Sequence, residues 1–157
     1  MNELFSDNTA SLNTTLAFAL ALTLSLVLKF WLASRQIRHV AQHRAAVPAD
    51  FAEKITLSAH QKAADYTIAK TRFGLLELAW GAAIAIAWTL LGGLSVLNQW
   101  LIGVMGHGIG QQVVLLVAFM AIGSALDLPF TLYQTFVIEE RFGFNKTSLK
   151  LWLQDFA

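Results

Sequence analysis

The chain has 157 residues, of which 56% are hydrophobic and 13% are charged, and its mean hydropathy is +0.56. This composition is typical of a membrane protein rather than a soluble domain. A net charge of +1 argues against a nucleic-acid-binding protein, and the lack of cysteine excludes disulfides and thiolate metal sites.

The first apolar segment covers residues 16–32, close to the ~20 residues that a bilayer-spanning helix needs. The residues before it include Glu3 and Asp7 but neither Lys nor Arg, which is the wrong charge for the n-region of a cleaved signal peptide. Lys29 lies near the end of the segment, where its long side chain can reach the headgroups. We therefore predict a retained first transmembrane helix.

A polar loop follows at residues 35–72, with seven Lys or Arg and three Asp or Glu. Pro48 marks a break in this loop. Two residue pairs with the spacing of a helix capping box come after it, Asp50 with Glu53 and Ser58 with Gln61. We expect one or two helices here, the second leading into the next span.

Two further apolar segments, residues 73–97 and 113–138, predict the second and third spans. The third is longer than a bilayer requires, so we expect it to tilt or project, and Pro129 can kink it. Residues 98–112 between them contain no charged side chain and four glycines, which predicts a loop or shallow interfacial turn. Because the basic residues are concentrated in the first loop, the positive-inside rule predicts an outside N-terminus and a cytoplasmic C-terminus.

The last stretch has apolar residues at the i, i+3, i+4 and i+7 positions of one helical face: Leu149, Trp152, Leu153 and Phe156. They predict an amphipathic helix over residues 146–157 that lies in the membrane interface or begins a further helix. The expected fold is all-α, with three transmembrane helices, a helical cytoplasmic loop and this C-terminal helix. We expect residues 1–157 to form a single membrane domain.

The most specific pattern in the chain joins the third span to this last stretch. We call residues 139–145 the signature turn; they are Glu139, Glu140, Arg141, Phe142, Gly143, Phe144 and Asn145. Read locally, Arg141 suits the negative end of a helix dipole, Gly143 can close a helix and Asn145 can cap the next one. Any helical hairpin could use these three roles.

Together with Ile138, the signature turn resembles the sequence that closes the N-terminal domain of the CAAX prenyl protease 1-like (family 48) integral-membrane zinc metallopeptidases. The resemblance extends upstream and downstream, at Leu128, Pro129, Phe130, Tyr133, Lys146, Thr147 and Asp155. Residues 61–66, with Lys70 and residues 72–74, are similar to the cytosolic loop of that family. The resemblance covers nearly all of the chain.

The resemblance implies a zinc-dependent endopeptidase whose HExxH helix and later zinc-binding glutamate lie C-terminal to the signature. We expect this chain to be the front part of such an enzyme, inactive alone, with zinc in the full-length protein. The implied partners are the lipid bilayer, the C-terminal zinc-protease domain of the same protein, and a peptide or membrane-protein substrate. In eukaryotic relatives the substrate is a prenylated CAAX tail, and the sequence does not show whether this protein meets one.

The chain itself offers no catalytic or metal-binding motif. His39 and His43 have the spacing of two zinc ligands on a helix, but Val40 stands where a zincin needs glutamate. His60 and His107 are isolated histidines. We therefore predict no catalytic residue and no metal ligand in this chain.

Two acidic residues, Glu77 and Asp127, lie within the predicted spans, where a carboxylate usually faces a bundle interior or a water-filled cavity. The resemblance implies that the spans enclose a large hydrated chamber, and these two residues are candidates for its wall. The alternative is that each is buried against a basic residue or a hydroxyl, and Lys29 is at a similar predicted depth to Glu77. For the whole chain, the alternative function is a small three-span interaction or assembly subunit with no catalysis. An HExxH motif in the downstream reading frame would favour the protease.

Overall fold

The computed structural model describes residues 2–148 and residue 152, and this part of the chain is helical, without strands. Its four α-helices are α1, Asn2–His43; α2, Leu57–Thr89; α3, Gly93–Met105; and α4, Ile109–Tyr133. A π-helical turn, Gln134–Glu139, continues α4. The chain forms two compact units: unit 1 is residues 1–34 with 75–115, and unit 2 is residues 35–74 with 116–157.

Two helices are long and apolar enough to cross a membrane, Thr9–His43 and Ile109–Glu139. They correspond to the first and third predicted spans. The second predicted span, residues 73–97, is not one straight helix, because α2 and α3 are separated by a break and bent by 50°. If this bent pair counts as one span, the described residues contain up to three.

The break follows from Gly92, whose φ of 77° lies in the left-handed region that glycine adopts readily. The N–H groups of Leu90 and Leu91 both donate to the carbonyl oxygen of Ile86, at 2.8 and 3.0 Å, so α2 ends in a tight turn. Gly93 then comes so close to α2 that an added Cβ would lie 2.8 Å from the carbonyl oxygen of Ala87.

The prediction of a loop over residues 98–112 was wrong, because most of this segment lies in α3 or α4. Only the turn around Gly106 interrupts the helices, and its φ is 74°. Gly103 and Gly110 lie within helices. Glycine content alone therefore overestimated the loop, since a glycine ends a helix only where the backbone turns.

Helical structure also occupies much of residues 35–72. Helix α1 continues to His43, and a short 3₁₀ helix, Ala49–Phe51, follows Pro48. Helix α2 begins after Thr56, whose Oγ1 accepts a hydrogen bond from the N–H of Ala59 at 3.2 Å. Thr56 is thus the N-terminal cap, whereas the predicted cap, Ser58, lies inside the helix.

Most large apolar side chains of the described residues point outward. Leu20, Leu91 and Ile109 are 71%, 76% and 81% exposed. A soluble domain rarely presents so much contiguous apolar surface, whereas lipid chains would cover it in a membrane. Of the predicted amphipathic helix over residues 146–157, residues 149–151 and 153–157 lie outside the described part.

Candidate functional site

The signature turn closes the last described long helix by a Schellman motif. The N–H of Gly143 donates to the carbonyl oxygen of Glu140, and the N–H of Phe144 to that of Glu139, both at 2.9 Å. Gly143 has a φ of 73°, which is the left-handed conformation that this motif requires. The predicted role of Gly143 is therefore confirmed.

The side chain of Asn145 forms hydrogen bonds with one residue before it in the chain and one after it. Its Nδ2 donates to Oε2 of Glu140 at 3.0 Å, and its Oδ1 accepts from the N–H of Thr147 at 2.8 Å. The second bond is the kind that caps a helix start, and the helix predicted to follow lies mostly outside the described residues.

Two aromatic residues of the signature turn pack against α2. The ring of Tyr66 lies 5.4 Å from the ring of Phe142 and 4.7 Å from that of Phe144, measured between centroids. We call these three residues the aromatic clasp. Such pairs add about 0.5–1.5 kcal/mol each beyond the burial of their area. The clasp holds the end of the apolar helix against the polar part of α2.

A second aromatic group lies further along the same two helices. Phe73 of α2 is buried, and its ring lies 5.1 Å from that of Tyr133 and 5.9 Å from that of Phe130. Together with Pro129 they line a small apolar cavity of about 220 Å³. Phe130 and Tyr133, which belong to the family resemblance upstream of the signature turn, thus contact Phe73. Phe73 itself lies in residues 72–74, which resemble the cytosolic loop of the same family.

An ion pair stabilises the start of α2 beside the clasp. Arg44 donates from Nε to Oδ1 of Asp65 at 2.6 Å and from Nη2 to Oδ2 at 2.7 Å, a bidentate geometry. These hydrogen bonds, with a smaller effect of the Arg141 charge, lower the pKa of Asp65. Nε2 of His60 also lies 2.9 Å from the carbonyl oxygen of His43, the last residue of α1.

Unit 1 contains a larger and more polar cavity, of about 720 Å³. Gln111 is only 6% exposed, and its Nε2 donates to Oδ1 of Asn98 at 2.7 Å, linking α4 to α3. The other walls carry no formally charged Asp, Glu, Lys or Arg; the lining residues are Trp88, Thr89, Gly92, Leu94, Ser95, Asn98, Ile102, His107, Gln111, Gln112 and Leu115.

Neither of the two acidic residues in the predicted spans, Glu77 and Asp127, forms an ion pair with a described residue. Glu77 is partly buried and Asp127 is exposed. Within the described part of the chain, Glu77 forms no ion pair with Lys29, which is exposed. The suggested pairing of Lys29 with Glu77 is therefore absent.

The two histidines at zinc-ligand spacing contact each other instead of converging on a third ligand. The rings of His39 and His43 are 4.3 Å apart, and Nδ1 of His43 lies 2.8 Å from the carbonyl oxygen of His39. Across residues 2–148 and 152, no three His, Cys, Asp or Glu side chains are placed to hold a metal ion.

Sequence reasoning missed the partners of the signature turn. Lys62, Tyr66 and Lys70 are spaced four residues apart, and this spacing places them on one face of α2. Recognising that face would have pointed to a docking surface for the two phenylalanines. No comparable signal in the sequence pairs Asn98 with Gln111.

The described fold is that of an all-helical membrane domain, closed by a Schellman turn that is clasped to α2. Residues 36–157 match the family model described as CAAX prenyl protease N-terminal, five membrane helices. The chain belongs to this family. The match includes the signature turn and the part of α2 that carries Tyr66.

Curated relatives agree with this assignment. The chain is 28% identical over 138 residues to the probable CAAX prenyl protease 1 of Schizosaccharomyces pombe, covering 80% of this chain and 29% of the relative. It is 28% identical over 148 residues to the CAAX prenyl protease 1 homolog of Homo sapiens, covering 88% of this chain and 31% of the relative. The chain thus spans less than a third of the length of these relatives.

Among solved structures, the chain is similar to the crystal structure of S. mikatae Ste24p, with a TM-score of 0.77 at 22% identity. The similarity covers 86% of this chain and 32% of that one. At this level of identity the comparison establishes a shared fold.

Proposed function

We propose that this chain is the N-terminal membrane domain of a zinc-dependent endopeptidase, and that it builds part of an intramembrane chamber and of the path that substrate takes. The observation that carries the proposal is the clasped signature turn. The residues that resemble the family signature are also those that pack Phe142 and Phe144 against Tyr66. A fixed helix end suits a domain that must hold the following segment in a defined place.

We assign Glu77 and Asp127 as chamber-lining residues. Neither forms an ion pair within the described part of the chain. Carboxylates within membrane spans usually face a bundle interior or a water-filled cavity, because lipid solvates them poorly. Water in a chamber would supply the solvation that the described residues do not provide.

The zinc belongs to the full-length protein in this proposal. The described residues lack a set of three metal ligands, so no catalytic step is assigned to this chain. The C-terminal zinc-protease domain of the same protein supplies the metal site, and the substrate is a peptide or membrane protein. The relatives are named CAAX prenyl proteases, which makes a prenylated C-terminal peptide the first substrate to test.

The topology proposed is an outside N-terminus with residues 35–72 and the C-terminus in the cytoplasm. Because the chain contains no cysteine, single cysteines at Ser11, Ser58 and His107 report each position separately. In intact cells, an impermeant thiol reagent should label the variants at Ser11 and at His107, which is exposed in the turn between α3 and α4, and spare the variant at Ser58. Labelling at Ser58 alone would reverse the topology.

The protease proposal is tested by the reading frame downstream of Ala157 and by the protein that it encodes. We expect an HExxH motif in that frame, and zinc-dependent cleavage of a membrane-associated peptide by the full-length protein. The chain 1–157, purified and desalted, should retain no stoichiometric zinc and should not cleave the peptide. A stop codon after Ala157, or peptide cleavage by this chain alone, would contradict the proposal and favour a different role for a small membrane subunit.

A further inference from the structure

Three exposed cations surround the end of the two apolar helices in unit 2: Lys70, Arg72 and Arg141. We call them the cationic collar. Lys70 and Arg72 come three residues and one residue before Phe73, where the apolar part of α2 begins, and Arg141 comes three residues after the buried Ile138. At 1.5 Å per residue, each collar residue lies within about 5 Å of the apolar segment of its helix.

The two helix ends are at the same level because aromatic contacts align them. Phe73 stacks on Tyr133 at 5.1 Å, and about two helical turns beyond, Tyr66 contacts Phe142 at 5.4 Å. The collar therefore lies along the stretch of roughly 10 Å over which both helices leave the apolar region. In a bilayer, aromatic and basic side chains concentrate in such a zone, beside the lipid headgroups.

The clasp also orients two of the collar cations. The Nζ of Lys70 lies 5.5 Å from the ring centroid of Tyr66 and donates to its hydroxyl at 3.3 Å. The guanidinium carbon of Arg141 lies 5.7 Å from the ring of Phe142. Both charges are thus held by aromatic faces while their remaining donors stay available.

No carboxylate of the described residues forms an ion pair with the collar. Of the acidic side chains nearby, Asp65 binds Arg44 and interacts more weakly with the charge of Arg141, and Glu140 accepts from Asn145 at the turn. Glu139, next to Glu140, is partly buried. The collar is a group of exposed positive charges at headgroup level that an anionic group would complement.

We propose that the cationic collar binds the headgroups of anionic phospholipids at this membrane surface. The phosphate and other anionic oxygens of such lipids would accept from the Lys70 ammonium and the Arg72 and Arg141 guanidinium groups. The inference needs the chain to be membrane-embedded and does not depend on proteolysis. It distinguishes the collar from Arg38, Lys54 and Lys146, which are exposed and lie at least six residues from the predicted apolar segments.

The test compares two triple variants that lose the same charge. The full chain is reconstituted in vesicles of equal phosphatidylcholine and phosphatidylglycerol, extracted, and its retained lipids are quantified by mass spectrometry. The wild type should retain more phosphatidylglycerol than phosphatidylcholine. The collar variant Lys70→Gln/Arg72→Gln/Arg141→Gln should lose this preference, by roughly fivefold per cation removed. The control Arg38→Gln/Lys54→Gln/Lys146→Gln should keep most of it.

Two results would overturn the proposal. One is a wild type without preference for phosphatidylglycerol. The other is an equal loss in both triple variants, which would mean that net charge alone attracts the lipid. A charge-conserving variant, Lys70→Arg/Arg72→Lys/Arg141→Lys, provides a check that does not depend on the glutamine variant folding, because it should retain the preference. Its failure to do so, with an unchanged helical circular-dichroism spectrum, would also contradict charge-based binding.

Discussion

The two units join their apolar helices in different ways. In unit 1, α3 meets α2 through the close backbone approach at Gly93, and it meets α4 through the amide pair of Asn98 and Gln111. In unit 2, α2 meets the end of α4 and the signature turn through contacts between aromatic rings, with the ion pair of Arg44 and Asp65 alongside.

The difference is what lipid around the contacts of unit 1 and water at the exposed end of unit 2 would produce. Helices within lipid gain little from hiding apolar side chains, so close backbone packing and hydrogen bonds hold them together. Where helices leave the lipid, water makes aromatic burial favourable and solvates the exposed ends of an ion pair. Small residues and amides therefore matter most in unit 1, and rings and charges in unit 2.

The largest effect should come from Gly93→Ala, which tests the close packing in unit 1. The new Cβ would meet the carbonyl oxygen of Ala87 at 2.8 Å and Cε3 of Trp88 at 3.2 Å, and the backbone oxygen cannot swing away. We expect a loss of about 2–3 kcal/mol in thermal unfolding followed by circular dichroism in detergent. Gly103→Ala is the control, because its Cβ meets nothing within 4 Å and should be neutral or slightly stabilising. Equal behaviour of the two variants would disprove the close approach.

Gly143→Ala tests the turn that carries the clasp in unit 2. The space is available, since the nearest atom is the flexible Nζ of Lys62 at 3.6 Å, but the φ of 73° strains any residue with a Cβ. We expect a loss of about 1–2 kcal/mol. Gly74→Ala, in a helix with nothing within 4 Å of its Cβ, should cost nothing. If Gly74→Ala lost as much stability as Gly143→Ala, the positive φ of Gly143 would not be the cause of the loss.

These two glycines show how far the sequence predicted the structure. Gly143 could be predicted because it follows a long apolar helix and lies between residues typical of a helix end. Gly93 could not, because its close approach depends on the 50° bend between α2 and α3. The helical class and the first and third apolar helices followed from composition and segment length. The break in the second span depended on which of several similar glycines adopts a positive φ.

The candidate functional site shows the same contrast between features set by neighbouring residues and features set by distant ones. The signature turn could be found because its residues are contiguous, whereas Tyr66 lies more than seventy residues upstream of its partners Phe142 and Phe144. The amide pair of Asn98 and Gln111 was missed because a segment assigned to a loop gave no helical register from which to pair them. Local chemistry was visible in the sequence, and contacts between distant segments were not.

Removal of the amide pair gives a smaller effect and separates hydrogen bonding from packing in unit 1. Gln111→Leu leaves Asn98 without its partner and should cost about 0.6–1.7 kcal/mol, as for other polar contacts between membrane helices. Asn98→Leu should cost a similar amount. The double variant should lose less than the sum of the two, because no amide is then left unsatisfied. Strictly additive losses in thermal unfolding would show that the pair contributes no coupling.

The smallest effect should come from the ion pair in unit 2, because both side chains are 43% exposed and water screens them. The guanidinium of Arg44 lowers the pKa of Asp65 below its ordinary value of 3.8, so the folded state favours the carboxylate. The resulting stabilisation is present above pH 3.8 and is lost as the pH falls through the lowered pKa. Asp65→Asn should therefore reduce the unfolding temperature slightly at neutral pH, and the difference from wild type should shrink and disappear in acid.

Asp50→Asn makes the same charge change at an exposed residue outside the pair and serves as the control. A difference between wild type and Asp65→Asn that persists unchanged in acid would assign the effect of Asp65 to packing rather than to its charge.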